Sequence, residues 1–224
     1  MTSLGCWLQG GKDPRNRNYP YRDVPARRSI THAAGAPISD QNGYNACVGY
    51  TCLDTINYAK FSRNRRRINH NTRVLPNPTG LTFYSIATRL DAWPGEAYPP
   101  DDTGSTVLAG AKALQQFGFI PSYRWAFTFA DFLAAVEQQP VMVGTLWTSG
   151  MSDPDQTGLI RPTGSLDGGH AYSVRGVSFA RELLRIRNHW GSDWGIKGEA
   201  FISFADMQWL LSQQGEVLVP GRTP

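Results

Sequence analysis

Near residue 140 the hydrophobic pattern of this chain changes character, and that change constrains the fold more than any other feature. Before it, apolar residues recur at helical spacing. Val48, Cys52, Ile56 and Ala59 predict one face of a helix over about 46–61. Val107, Leu108, Ala111 and Leu114 predict the face of another, ending at Gly118. Ser105 is its expected N-cap, because a hydroxyl oxygen there can accept an orphan amide hydrogen bond. Residues 81–90 and 129–138 read as further helices. After residue 140, strand-like segments take over at 141–147, 171–177, 183–187, 199–204 and 216–220, with a short helix over 205–213. Helices first and strands last predict an α+β fold rather than alternating βαβ units. The expectation is one domain over 29–224, with a helical half at about 29–139 and a β-rich, barrel-like half at about 140–220 flanking a cleft.

Fifteen prolines and 23 glycines in 224 residues demand many turns and exclude an all-helical bundle. The polar residues 1–28 read as an extended arm that must lie on the body of the protein. Segment 62–80 reads as a surface loop. An apolar content of 41% excludes general disorder, and no apolar run is long enough to cross a bilayer. Met1 to Trp7 lack the basic start and apolar core of a secretory signal, so no membrane is expected and the expected setting is the cytoplasm, with release by a non-standard route left open. Cys6, Cys47 and Cys52 are too few for a disulfide framework, which fits a reducing compartment. Cys52 lies in the same helical pattern as Cys47 and reads as a buried small hydrophobe. The net charge of +4 is modest. Arg63, Arg65, Arg66, Arg67 and Arg73 read as a solvated loop rather than a nucleic-acid contact, so no nucleic-acid partner is expected.

The residues that carry chemistry are few. Cys47, at the first turn of a helix, meets unpaired backbone N–H groups and the positive end of the helix dipole, both of which favour a thiolate. His170 follows Gly168–Gly169 and enters a strand, a rigid base for a proton carrier. Asn188 can orient the second imidazole nitrogen. Trp190 and Trp194 either shield that bond from water or form a structural aromatic turn, with Gly191 and Gly195 permitting tight bends. Gln41 and the Cys47 backbone N–H can point at a developing oxyanion. His32, His70 and His189 are weaker candidates for the base; His189 would point away if its segment is extended. This set calls for no metal and no cofactor.

Gln41-Asn42-Gly43-Tyr44-Asn45-Ala46-Cys47, Gly169-His170-Ala171 and Asn188-His189-Trp190-Gly191-Ser192-Asp193-Trp194-Gly195 resemble the three signature regions of papain-like cysteine peptidases, especially divergent bacterial members. The resemblance implies Cys47 as nucleophile, His170 as base, Asn188 as orienting amide, Gln41 as oxyanion donor and Trp190 as cover. It also implies a substrate-facing wall at Gly104, with Gly169 leaving room beside the base. The implied activity is hydrolysis of peptide or protein substrates through a thioester, in a protein of bacterial or bacteriophage origin. A deamidase, amidase or transamidating acyltransferase, or a non-catalytic peptide-binding module, are the alternatives. The chain departs from the familiar pattern at Tyr44, where lysosomal and plant members carry a disulfide cysteine. Asn45 replaces a glycine, and its side chain is expected to crowd the substrate backbone or narrow the unprimed side of the cleft. Residues 1–28 replace a long propeptide, either covering the cleft or acting as a permanent strap.

Overall fold

The computed structural model describes residues 4–5, 14–58, 61, 79–93 and 95–222. Among the described residues, three helices pack on one face of the sheet. Helix α1 (Cys47–Asn57) buries Val48, Cys52 and Ile56 as its periodicity predicts. Helix α2 (Gly80–Ala87) starts with a reciprocal cap: Thr82 N–H donates to Thr79 Oγ1 at 3.2 Å, and Thr79 N–H to Thr82 Oγ1 at 3.1 Å. The two helices pack through glycine. A Cβ on Gly49 would fall 2.2 Å from the Gly80 carbonyl oxygen, and one on Gly80 would strike the Tyr50 ring. Helix α3 (Val107–Gln116) is capped by Thr106, whose Oγ1 accepts from Ala109 N–H at 3.0 Å. The cap therefore stands one residue later than expected, because Ser105 Oγ donates instead to Asp91 Oδ2 at 2.9 Å.

Among the described residues the strands build one nine-stranded sheet. They are β1 (Leu4–Gly5), β2 (Pro20–Tyr21), β3 (Ile30–Thr31), β4 (Tyr123–Ala126), β5 (Val141–Thr148), β6 (Leu166–Ser178), β7 (Leu183–Arg187), β8 (Glu199–Ser203) and β9 (Glu216–Pro220). Their order is β2-β4-β9-β5-β6-β7-β8, with β1 and β3 also paired to β6. Side chains alternate across it as a pleat requires. Met142, Ala171 and Leu218 join the core under α1 and α3. Val141, Val143, Tyr172, Val174, Val217 and Val219 face a second core closed by helices α4 (Phe129–Gln138) and α6 (Phe204–Ser212). A one-turn helix, α5 (Ser149–Ser152), follows β5.

This architecture corrects the expected layout in two ways. The sheet is open: β2 and β8 are its two ends, and no pairing joins them among the described residues. It does not close into a barrel because its second face is covered by α4 and α6, which bury the apolar side chains that a barrel would turn inward. Nor are helices confined to the first half, since α5 and α6 follow β5 and β8 in the chain. Conversely β4, inside the expected helical half, pairs with β9. Four residues with only Trp125 buried are too short a run to announce a strand.

The arm is fastened to this body. Residues 20–21 lie parallel to β4, and Ala26 and Arg28 donate backbone N–H groups to the two oxygens of Glu137 at 2.7 and 2.5 Å. Further back, Leu4 and Gly5 pair in parallel with Gly168 and Gly169 on β6. Cys6, His70, Arg63, Arg65, Arg66, Arg67 and Arg73 lie outside the described residues, with most of the segment 62–80. No helix among the described residues is long and apolar enough to cross a membrane.

Candidate active site

Cys47 is the first residue of α1 and is fully buried. No side chain caps this helix start, so the first-turn amides and the dipole act around the sulfur unscreened by a capping oxygen. Ala171 N–H donates to Cys47 Sγ at 3.3 Å, which sets the thiol against β6 one residue past His170. Further along α1, burial pushes the Cys52 thiol well up, and it remains an inert core group.

His170 is also fully buried, and its Nε2 lies 2.8 Å from Asn188 Oδ1. Asn188 Oδ1 accepts as well from His189 N–H at 2.9 Å, which orients the amide and assigns the proton on this side to His170 Nε2. Trp190 covers the imidazole with ring centroids 4.9 Å apart. Trp194 packs against Trp190 at 5.6 Å and donates its indole N–H to Ser152 O at 2.9 Å, one layer behind. The bends after each of them need left-handed backbone, with φ of +77° at Gly191 and +56° at Gly195. On its other side His170 meets the edge of Trp147, 4.7 Å away, at the end of β5. Trp147 had no motif to mark it, and only the β5–β6 register brings it here.

Gln41 enters the same cluster. Its Nε2 donates to Tyr44 O at 2.5 Å, and its Oε1 lies 2.6 Å from His189 Nδ1. Residue 189 therefore points inward and is fully buried, contrary to the extended alternation that would have turned it away. The chain leaves β7 after Arg187, and Asp40 bridges to Trp190, so the two-residue period ends just before this position. Burial, and then the nearby His170, hold the His189 pKa well below the usual histidine value. His32 is elsewhere, its Nε2 2.7 Å from Val136 O on α4.

The loop before Cys47 is tied to the segment that holds Gly104. Asn45 N–H reaches both oxygens of Asp102, at 3.0 and 3.1 Å, and Asn45 Nδ2 donates to Asp102 O at 2.6 Å. Tyr84 OH donates to Asp102 Oδ1 at 2.9 Å and accepts from Gly104 N–H at the same distance. Asn45 and Gly104 are thus joined through Asp102 and Tyr84, two residues that carried no local signal. Gly169 pairs with Gly5 of β1 and Leu146 of β5. Among the described residues no group of three His, Cys, Asp or Glu side chains is placed to hold a metal ion.

Cys47, His170, Asn188, Gln41 and His189 thus form one buried cluster where α1 meets β6 and the chain leaving β7. No family model matches this chain, and a search of curated proteins finds no match. Solved structures do match. Xylellain, a cysteine protease from Xylella fastidiosa, has a TM-score of 0.69 at 15% identity, covering 100% of this chain and 98% of its own. Procathepsin B S9 from Trypanosoma congolense has a TM-score of 0.65 at 12% identity over 99% of this chain and 87% of that one. Digestive procathepsin L 3 from the larval midgut of Tenebrio molitor reaches 0.64 at 14% identity, over 98% and 76%. The chain has the papain-like cysteine peptidase fold, shared with a bacterial member at low sequence identity.

Proposed function

We propose that this protein is a cysteine peptidase in which Cys47 attacks the carbonyl carbon of a peptide bond. The carrying observation is the His170 Nε2–Asn188 Oδ1 bond of 2.8 Å in the same buried cluster as a thiol at a helix start. With Nε2 committed to Asn188, Nδ1 is the nitrogen that serves Cys47, taking its proton to give a thiolate–imidazolium pair. The sulfur forms the C–S bond. The oxyanion is met by the Cys47 backbone N–H and a Gln41 amide N–H. The C–N bond then breaks as His170 gives its proton to the leaving amine. A water oxygen, losing a proton to His170, attacks the thioester and releases the acid and the thiol.

The linked residues Asn45, Asp102, Tyr84 and Gly104 are read as one wall of the substrate groove, and Gly169 as the other. Residues 1–28 are read as an arm distinct from a catalytic domain over 29–224. Its first strand lies beside His170, and we read it as an occupant of the groove. The use of three cysteines without a disulfide framework and the likeness to a Xylella protein support a reducing cellular setting and a bacterial or bacteriophage origin.

A peptide library incubated with wild type and Cys47→Ala tests the reading. New peptide termini are expected from wild type alone. Ammonia without new termini would make the protein a deamidase or amidase, an acyl group moved to an added amine would make it a transferase, and equal turnover by Cys47→Ala would overturn thiol catalysis.

A further inference from the structure

We infer that Ser152 is a positioning residue for the base: its hydroxyl fixes the Trp147 indole, and that indole limits the swing of the His170 imidazole. The inference rests on the peptidase reading above, in which His170 serves Cys47. His170 has to keep Nε2 on Asn188 while Nδ1 carries a proton from the thiol to the leaving amine, so only a narrow range of ring positions is useful. Two indoles border that range. Trp190 lies with its centroid 4.9 Å from that of the imidazole and 39° between planes, and Trp147 at 4.7 Å and 70°. At these separations the rings are in contact. A displaced Trp147 therefore changes where Nδ1 can point, and catalysis is sensitive to small misplacements of this kind.

Trp147 is fully buried, and its Nε1–H donates to Ser152 Oγ at 3.0 Å. A buried indole N–H without an acceptor is costly, so this bond selects one orientation of the ring. The same serine steadies the opposite indole from behind. Trp194 Nε1–H donates to Ser152 O at 2.9 Å, and Trp194 packs against Trp190 at 5.6 Å. Ser152 itself is well anchored. It closes α5, which the chain enters just after the register shift between Trp147 and Thr148 that ends β5. Ser149 N–H donates to Ser165 O and Gly150 N–H to Thr163 O, both at 2.9 Å, and Met151 is fully buried in the second core. The ionisable groups around the imidazole are Tyr172 with its ring 6.0 Å away on the same strand, His189 at 5.2 Å, and Cys47, which accepts from the neighbouring Ala171 N–H. Ser152 reaches this set through Trp147.

The test follows Ser152→Ala, Ser152→Val and Ser152→Thr by two measurements. One is kcat and KM on a cleavable peptide. The other is the ultraviolet absorbance of the Cys47 thiolate across pH, each protein being read against its own Cys47→Ala version. An imidazolium beside the sulfur preserves the thiolate to lower pH, and a displaced ring does so less well. For Ser152→Ala and Ser152→Val we expect kcat to fall on the order of 3- to 10-fold with KM little changed, and the thiolate to appear only at higher pH. Threonine keeps the hydroxyl within the shape of valine, so Ser152→Thr should recover most of both losses. Trp147→Phe should lose as much as Ser152→Ala, and combining the two should cost nothing further, because the serine acts through the indole. An unchanged kcat in Ser152→Ala, equal losses in Ser152→Thr and Ser152→Val, additive losses in the double variant, or a thiolate titration that stays in place while kcat falls would overturn the inference. A wild type that cleaves no peptide, with a thiolate titration that still moves on substitution of Ser152, would defeat the peptidase reading alone. A wild-type thiolate that appears only at the pH of a free thiol would overturn both.

Discussion

Arg187 Nε donates to Asp54 Oδ1 at 3.0 Å, and both side chains are almost fully enclosed. The pair joins two elements that carry the site, because Asp54 lies on α1 below Cys47 and Arg187 is the last residue of β7, immediately before Asn188. Arg187 also donates to the carbonyls of Ala36 and Pro37, and Glu199 beside it is gripped by Arg175 and Arg185. Cys47 and Asn188 are held in mutual register by a buried charge network rather than by apolar packing alone.

Arg187→Ala should destabilise the fold by about 3–5 kcal/mol near neutral pH, since it strands a buried carboxylate. The cost should depend on pH. Burial already pushes the Asp54 pKa up to about 6, against the lowering influence of Arg187. A carboxyl whose folded pKa exceeds its unfolded value contributes stability fully below about 4, and that contribution is lost as pH rises through the folded pKa. Removing Arg187 raises the folded pKa further, so the variant should suffer more at pH 8 than at pH 5. Denaturant midpoints at the two values measure this, and an equal cost at both would refute it.

His189 should give an opposite slope on the acid side. Burial depresses its folded pKa well below 6.5, so its contribution is complete above the unfolded value and is lost as pH falls toward the folded one. Chemical denaturation of His189→Asn between pH 7 and pH 4 should therefore lose less stability than wild type. A steeper acid loss in the variant would show that His189 is not held neutral.

Trp190→Ala should open the His170–Asn188 bond to water. A fall of roughly tenfold in kcat, equivalent to about 1.4 kcal/mol, is expected, with alkylation of Cys47 retained. Steady-state kinetics beside iodoacetamide labelling separates this from unfolding, which would remove both.

If β1 fills the proposed groove, removal of residues 1–13 should open it, because β1 pairs with Gly168 and Gly169 immediately before His170. If the arm occupies the groove nine-tenths of the time, apparent KM should drop about tenfold on truncation. Comparing peptide turnover of the full chain with the truncated one checks it; a truncated protein that is stable but no faster makes the arm a strap.

Much of this was legible along the chain for local reasons. Residues 183–187 and 216–220 read as strands and are strands, because short apolar runs bounded by turns need no partner to be recognised. The helix beginning at Cys47 follows from apolar residues repeating every turn. The thiol, His170, Asn188 and Gln41 stand in distinctive local settings, which is why each could be picked out along the chain. What failed was whatever depends on a neighbour. The cap at Thr106 rather than Ser105 turns on Asp91 claiming the Ser105 hydroxyl. The four-residue β4 exists because β9 and β2 pair with it.

The sequence by itself determined the longer helices and strands and which side chains have the chemistry for a thiol site, since periodicity, capping groups and ionisable atoms are properties of short stretches. Only the tertiary structure decided that the sheet stays open beneath α4 and α6, that Trp147 backs His170, and that His189 turns inward to Gln41. Each depends on which surfaces meet across long separations in the chain. Pairing register and burial settle that, and neither is written in any one segment.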